Sequence, residues 1–280
     1  MKSIARRQER DGRRSRTPEG GSPVGFLIGF LVFILIFALI TVGLRGLVLS
    51  LLERLPVLFS GEGGTELPSV GAENGTPHRI VVLDAGHGGE DGGTSAADGT
   101  KEKDLNLSTA LLLADLLRAG GIEVVLTRDS DRLLYDPLSD YRGRKKLLDQ
   151  RERLRIATET AEAHPDAEVL FVSIHMNSYP SESVRGLQVW YSRNNAASGA
   201  LAKSIRDSAE TLLQPENKKE IKAAGDSIFL LDRITEPAVL VECGFLSTPA
   251  ECERLCDPVY QQKLALVLFD AICENMSAHP

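Results

Sequence analysis

Cysteine is scarce in this chain and poorly spaced for a metal cage. The 280 residues hold four, Cys243, Cys252, Cys256 and Cys273, all near the C-terminus. None forms a C-x-x-C pair, and no second pair could complete a tetrahedral thiolate site, which excludes the common structural zinc modules. Buried, inert thiols are expected, although an exported location would permit disulfides. Basic charge is also short. Beyond Arg45 the chain carries 24 basic and 36 acidic side chains, a formal charge of −12, which argues against nucleic acid as a partner and against general affinity for anionic lipid. No internal repeat appears, so a solenoid is excluded. With 42% hydrophobic and 25% charged residues the composition is that of a globular domain with one sizeable core, not of a disordered chain.

One part of the chain is richly apolar. Residues 25–44 run for twenty positions without a charge and are dominated by Phe, Leu, Ile and Val. At roughly 1.5 Å per helical residue this covers a bilayer core of about 30 Å, so one transmembrane helix is expected there. The segment before it holds Lys2, Arg6, Arg7, Arg10, Arg13, Arg14 and Arg16 against Glu9, Asp11 and Glu19. Basic flanks stay cytoplasmic, which places a basic tail (1–24) inside and everything after Arg45 outside, at the cell membrane. A cleavable signal peptide fits less well, because the run is longer than a typical apolar signal core and Thr41 to Gly46 offers a poor small-residue cleavage site. Residues 45–79 read as an apolar juxtamembrane stretch followed by a Gly-, Glu-, Pro- and Ser-rich linker. Its twenty or so flexible residues give a reach of about 25 Å.

From residue 80 to 277 short apolar strands alternate with amphipathic helices. Strands are expected at 80–84, 122–127, 169–175, 187–191, 227–231 and 238–242, and helices at 105–119, 147–163, 196–213 and 259–276. This alternation predicts an α/β domain of three layers, a mostly parallel twisted sheet flanked by helices on both faces.

Four strings carry the chemistry: Asp84-Ala85-Gly86-His87-Gly88-Gly89, Glu102-Lys103-Asp104, Ser173-Ile174-His175-Met176-Asn177 and Val241-Glu242-Cys243-Gly244-Phe245. Ligand sites in open α/β sheets lie beyond the carboxyl ends of the strands. His87, His175 and Glu242 therefore emerge at one edge, and a helix start aims Glu102 at the same place. His87, Glu102 and His175 form a candidate ligand triad with one open position, the catalytic arrangement for Zn²⁺. Glu242 is left over and suits a proton-transferring carboxylate. Asp84 offers a partner to His87 or a brace for the turn. Taken singly, each residue has a plainer account: a hydrogen-bonded strand-end histidine, a helix-start carboxylate favoured by the dipole, a buried ion-pair member. Their joint placement at strand ends favours the metal site.

These strings, with Leu126-Thr127-Arg128 followed by Asp131 and the run from Pro237 to Ser247, resemble the zinc-dependent N-acetylmuramoyl-L-alanine amidases of bacterial cell walls. The resemblance covers nearly all of residues 80–275, in family order. It implies hydrolysis of the amide between N-acetylmuramic acid and L-alanine in peptidoglycan, with His87, Glu102 and His175 as zinc ligands and Glu242 as the catalytic carboxylate. Thr158 departs from the family's usual Asn, and residues 217–231 lack its Arg-rich form. Lys218 to Asp226 and the single anchor are similar to the sporulation amidases that prepare cortex peptidoglycan for muramic lactam formation. No wall-binding module is visible, so substrate affinity is expected from the catalytic face, from tethering or from a partner; an activating protein partner is a further expectation, and residues 129–150 are a candidate rim for substrate. Two rival readings are a zinc peptidase acting on stem peptides, distinguished by its products, and a non-catalytic peptidoglycan-binding scaffold, which would be expected to have lost a ligand or Glu242.

Overall fold

Strand β1 (Arg79–Ala85) is apolar from Ile80 to Leu83 and buried on both faces, so the chain around it has to supply two cores. The computed structural model describes residues 78–136, 138, 143–181 and 183–277; the anchor expected at 25–44 and nearly all of the linker lie outside the described residues. After β1 come α1 (Glu102–Ala119), β2 (Glu123–Leu126), α2 (Lys145–Ala163), β3 (Glu168–Asn177), β4 (Gln188–Tyr191), α3 (Ala197–Leu212), β5 (Lys222–Ala223), β6 (Ala238–Phe245), α4 (Pro249–Cys256) and α5 (Pro258–Ser277). Among the described residues no helix is long and apolar enough to cross a membrane.

The strands form one mixed sheet in the order β2-β1-β3-β6-β4-β5. Each neighbouring pair is parallel except β4 with β6, which is antiparallel. Successive side chains alternate between the two faces. Val81 and Leu83 of β1, Val172 and Ile174 of β3, and Val239 and Val241 of β6 meet Leu113 and Leu117 of α1, Leu201 and Ile205 of α3, and Leu264 and Leu268 of α5. Ile80, Val82, Phe171 and Ala238 face the other way, against Ala157 of α2 and the side chains of Leu230, Leu231 and Ile234. One face is thus covered by α1, α3 and α5, joined by Cys252 and Leu255 of α4, and the other by a single helix and an irregular segment. Each fully buried Leu or Val in these layers contributes about 1.5–3 kcal/mol.

Residues 227–231 are not a strand. Their backbone closes on itself in turns, Ile228 N on Gly225 O at 3.1 Å and Asp232 N on Ile228 O at 3.0 Å, while their side chains cap the thinly covered face. A short apolar run reads alike in a strand and in such a cap. The edge strand lies earlier, at Lys222–Ala223 beside Trp190 and Tyr191 of β4. Helix α4 was also not expected from the periodicity. Pro249 opens it, where the missing N–H costs nothing, and its Glu251 ties the ends of β6 and β4 together, accepting from Phe245 N at 2.9 Å and Gly186 N at 2.8 Å.

Candidate metal and catalytic site

The carboxyl ends of β1, β3 and β6 deliver the candidate residues to one place. In the register, His175 stands beside Glu242 on the neighbouring strand. The chain leaves β1 through Gly86, where a side chain is excluded: a Cβ would lie 2.2 Å from Cε1 and Nε2 of His175. His87 then adopts φ 62°, the left-handed region that costs a non-glycine residue about 1–2 kcal/mol. That strain is held in place by what surrounds it.

Glu102 is the first residue of α1 and is buried. Its Oε1 lies 3.2 Å from His87 Nε2 and 2.9 Å from His175 Nδ1, and accepts from Met176 N at 3.2 Å. Its Oε2 accepts from Thr94 N at 2.8 Å. Gly93, at φ 67°, brings the intervening loop so close that a Cβ there would lie 2.5 Å from Glu102 Oε2 and 2.8 Å from His87 Cδ2.

The electrostatics of the cluster call for a cation. Burial favours the neutral form of Glu102, but the two imidazoles outweigh it and hold the carboxyl well below its usual range. Burial likewise opposes charge on His87, yet hydrogen bonds to Asp91 and Glu102 raise it to about 9. Two imidazoles and one carboxylate, with ligand atoms all within 4.8 Å of one another, could hold a metal ion, and three protein ligands of this kind fit zinc with a position open.

Glu242 faces the same space from β6. Its Oε2 is buried without a hydrogen-bond partner. Burial raises its pKa, the nearby Glu102 adds to this, and the two histidines oppose it. A raised, unpartnered carboxylate beside a ligand cluster is equipped to take and return a proton. The space in front of it is a cavity of about 220 Å³ between α2 and the 227–231 turns, lined by His87, His175 and Glu242 together with the apolar Phe171, Leu230 and Leu240. Of the expected rim at 129–150, Lys146, Asp149 and Gln150 line it.

Asp84 is not the partner of His87. Asp91 is, with Oδ2 2.8 Å from His87 Nδ1, and that hydrogen bond, against some burial, draws Asp91 down to about 2. Asp84 instead is fully buried beneath the site, paired with Arg153 and accepting from Ser173 Oγ at 2.6 Å and Thr127 Oγ1 at 2.7 Å. Burial pushes its pKa up, but Arg153 and the two hydroxyls prevail and leave it lowered. Asp91 stands only four residues after His87, in a loop whose fold no periodicity reveals.

Two arginines from separate elements clamp the His87 loop. Arg128 Nε donates to Ala85 O at 2.8 Å and its Nη2 to Gly86 O at 3.0 Å and Lys103 O at 2.7 Å. Arg153 Nη1 reaches Ala85 O at 2.8 Å and Nη2 reaches His87 O at 2.6 Å. Lys103 Nζ closes the far side on Gly89 O at 2.8 Å and Asp131 Oδ2 at 2.6 Å. These donors satisfy carbonyls that the tight, left-handed loop cannot pair within itself. The departure at Thr158 is inconsequential for the site, since that residue is exposed on α2.

A family model described as N-acetylmuramoyl-L-alanine amidase matches residues 81–274, the whole of this architecture from β1 into α5. The chain belongs to the N-acetylmuramoyl-L-alanine amidase family. It is accordingly an amidase acting on the amide between N-acetylmuramic acid and L-alanine. Among its relatives is a germination-specific N-acetylmuramoyl-L-alanine amidase of Bacillus subtilis, 37% identical over 196 residues, which are 69% of this chain and 78% of that protein. The CwlD amidase of Clostridioides difficile, solved in complex with the GerS lipoprotein, superposes with a TM-score of 0.64 at 35% identity, over 71% of this chain and 99% of that one. The amidase AmiC2 of Nostoc punctiforme matches at TM-score 0.59 and 30% identity, over 72% of this amidase and 99% of its own chain.

Proposed function

We propose that this amidase is zinc-dependent, that His87, Glu102 and His175 hold the metal, and that Glu242 is the catalytic carboxylate. The observation that carries this reading is the convergence of the three ligand atoms within 4.8 Å beside a buried carboxylate oxygen that has no partner. Zinc, when bound, supplies a Lewis acid for the muramoyl-alanine carbonyl and lowers the pKa of a water at the site. The chain's own residues do the rest. Glu242 accepts the proton of the attacking water, for which its raised pKa suits it, and then donates that proton to the alanine nitrogen as the amide bond breaks. Asp91 fixes the ring of His87 through Nδ1, leaving Nε2 for the metal. Phe171 and Leu240 give the cavity part of an apolar wall.

We further propose that the substrate is spore cortex peptidoglycan destined for muramic lactam formation, that residues 25–44 anchor the enzyme with its catalytic domain outside the membrane, and that a lipoprotein partner assists it. The germination-specific Bacillus relative and the lipoprotein bound to the Clostridioides neighbour support the first and third of these; the uncharged apolar run behind a basic tail supports the second.

The test is mass spectrometry of vegetative and cortex-type peptidoglycan digested with the full zinc-loaded chain, beside Glu242→Gln. Release of intact stems headed by L-alanine, by the native protein only, is expected. Cleavage between amino acids of the stem would instead mark a peptidase.

A further inference from the structure

Because β4 runs against β6, its start lies at the same sheet edge as the end of β6. Gln188 stands opposite Glu242, and the residues before Gln188 continue past the catalytic carboxylate. Strand β5 is parallel to β4, so the residues leading into it arrive at that edge too. Two cations meet there. Arg185, just before β4, and Lys219, just before β5, line one cavity of about 330 Å³ floored by Gly186 and Asn217.

Neither cation has an acidic partner within 4 Å among the described residues, although the surface around them is rich in ion pairs. Lys218, the intervening neighbour, is spent on Glu210. Lys219 Nζ instead lies over the face of the Phe245 ring, 5.1 Å from its centre, a contact that holds an ammonium without neutralising it. Burial and the neighbouring Lys222 press its pKa downward, and the Glu251 carboxylate only partly opposes them. The buried carboxylate in the cavity wall, Glu251, is consumed by the backbone N–H groups of Gly186 and Phe245; Glu216 stays at the exposed mouth.

The base beneath the cations is rigid. Asn217 Nδ2 donates to Leu187 O at 2.8 Å, and Leu187 N donates to Gln214 Oε1 at 2.8 Å. A rigid frame carrying two cations that no carboxylate pairs directly is organised for an anion that comes from outside.

We propose that Arg185 and Lys219 form a carboxylate-binding subsite for the peptide half of the substrate. This rests on the amide-hydrolysing role of Glu242 proposed above. Gly186 lies two strand positions from the register of Glu242, about 7 Å at roughly 3.3 Å per residue. An extended peptide covers that distance in about two residues, so the carboxylate recognised is that of the second residue after the cleaved bond.

The test uses the full zinc-loaded chain with two soluble substrates, an N-acetylmuramoyl-L-alanyl-D-glutamyl peptide and its counterpart with every carboxylate amidated. The native protein should prefer the acidic peptide by about tenfold in kcat/KM, carried by KM, in line with one charge-assisted contact of ~1.4 kcal/mol. In R185Q/K219Q that ratio should fall towards one; in Arg185→Lys and Lys219→Arg it should persist. A ratio unchanged in R185Q/K219Q, or no preference in the native protein, overturns the subsite. Binding of the free acidic peptide, followed by NMR titration, keeps the two readings apart. If Glu242→Gln cleaves these substrates as fast as the native protein, the assignment of Glu242 fails, whereas the subsite stands only if peptide binding weakens in R185Q/K219Q.

Discussion

Gly86→Ala isolates the geometry of the site from the chemistry of its ligands, since it removes no ligand and adds one methyl group. The added Cβ would sit 2.2 Å from Cε1 and Nε2 of His175 and 2.8 Å from Cδ2. Ordinary carbon contacts lie near 3.5–4.0 Å, so the imidazole has to retreat by more than about 1 Å, well beyond the ~0.2 Å tolerance of a metal–ligand bond. His175 is half-buried and borders the cavity, so it has somewhere to go. The fold therefore survives, at an overpacking cost of about 1–3 kcal/mol, while the ligand triad does not. We expect zinc affinity to fall by ~100-fold or more, as does disturbance of ligand support elsewhere, and turnover at saturating zinc to fall by about 10²-fold, the cost of a 1 Å misplacement. Chelator competition gives the first quantity, release of L-alanine-headed stems the second, and a thermal melt reports the fold. Gly99→Ala is the control: its φ is 91° but nothing lies within 4 Å of the new Cβ, so it should lose comparable stability with native zinc binding. Native zinc affinity and activity in Gly86→Ala would refute the reasoning.

Glu242→Gln should retain zinc and lose about 10²–10⁴ in kcat, the range for a general acid–base, measured on the same peptidoglycan with metal content determined in parallel. Asp91→Asn should weaken zinc binding by about 10–100-fold through loss of the partner on His87 Nδ1, read by chelator competition, whereas substitution of Asp84 should act first on stability. Arg153→Met leaves Asp84 buried without its countercharge and should cost about 3–5 kcal/mol in denaturant unfolding; Asp84→Asn added to it should recover part of that loss. The carboxyl of Asp84 is lowered in the folded protein, so its contribution is complete above the ordinary value of 3.8 and disappears as pH falls through the folded one. Acid titration of Asp84→Asn should show a shallower loss of stability below about pH 4 than the native protein. Alkylation at pH 8 should label the half-exposed Cys256 and Cys273 well before Cys243, which is fully buried and whose thiol burial pushes far up.

What the sequence determined is what depends on neighbours along the chain. An apolar run such as Ile80 to Leu83, bounded by turn residues, has few ways to be buried other than as a central strand, and alternation of such runs with Leu-rich helical stretches already implies a covered sheet. Because parallel strands present their carboxyl ends at one edge, the order of strands along the chain already brings His87, His175 and Glu242 together, and a helix start aims Glu102 at them. The tertiary structure decided what depends on residues distant in sequence or on loop conformation. That Asp91 and not Asp84 holds His87 follows from a left-handed turn at His87, and that Asp84 serves Arg153 follows from a contact across 69 positions. The clamp of Arg128 and Arg153 joins three elements on carbonyls, which every residue possesses and no motif can mark. Residues 227–231 failed as a strand for the same reason, since apolar side chains record burial and leave the backbone path to whatever face needs covering. Arg185 and Lys219 lie 34 residues apart; the parallel pairing of β4 with β5 brings them to one cavity, and the reversal of β4 against β6 puts them at the sheet edge where Glu242 stands.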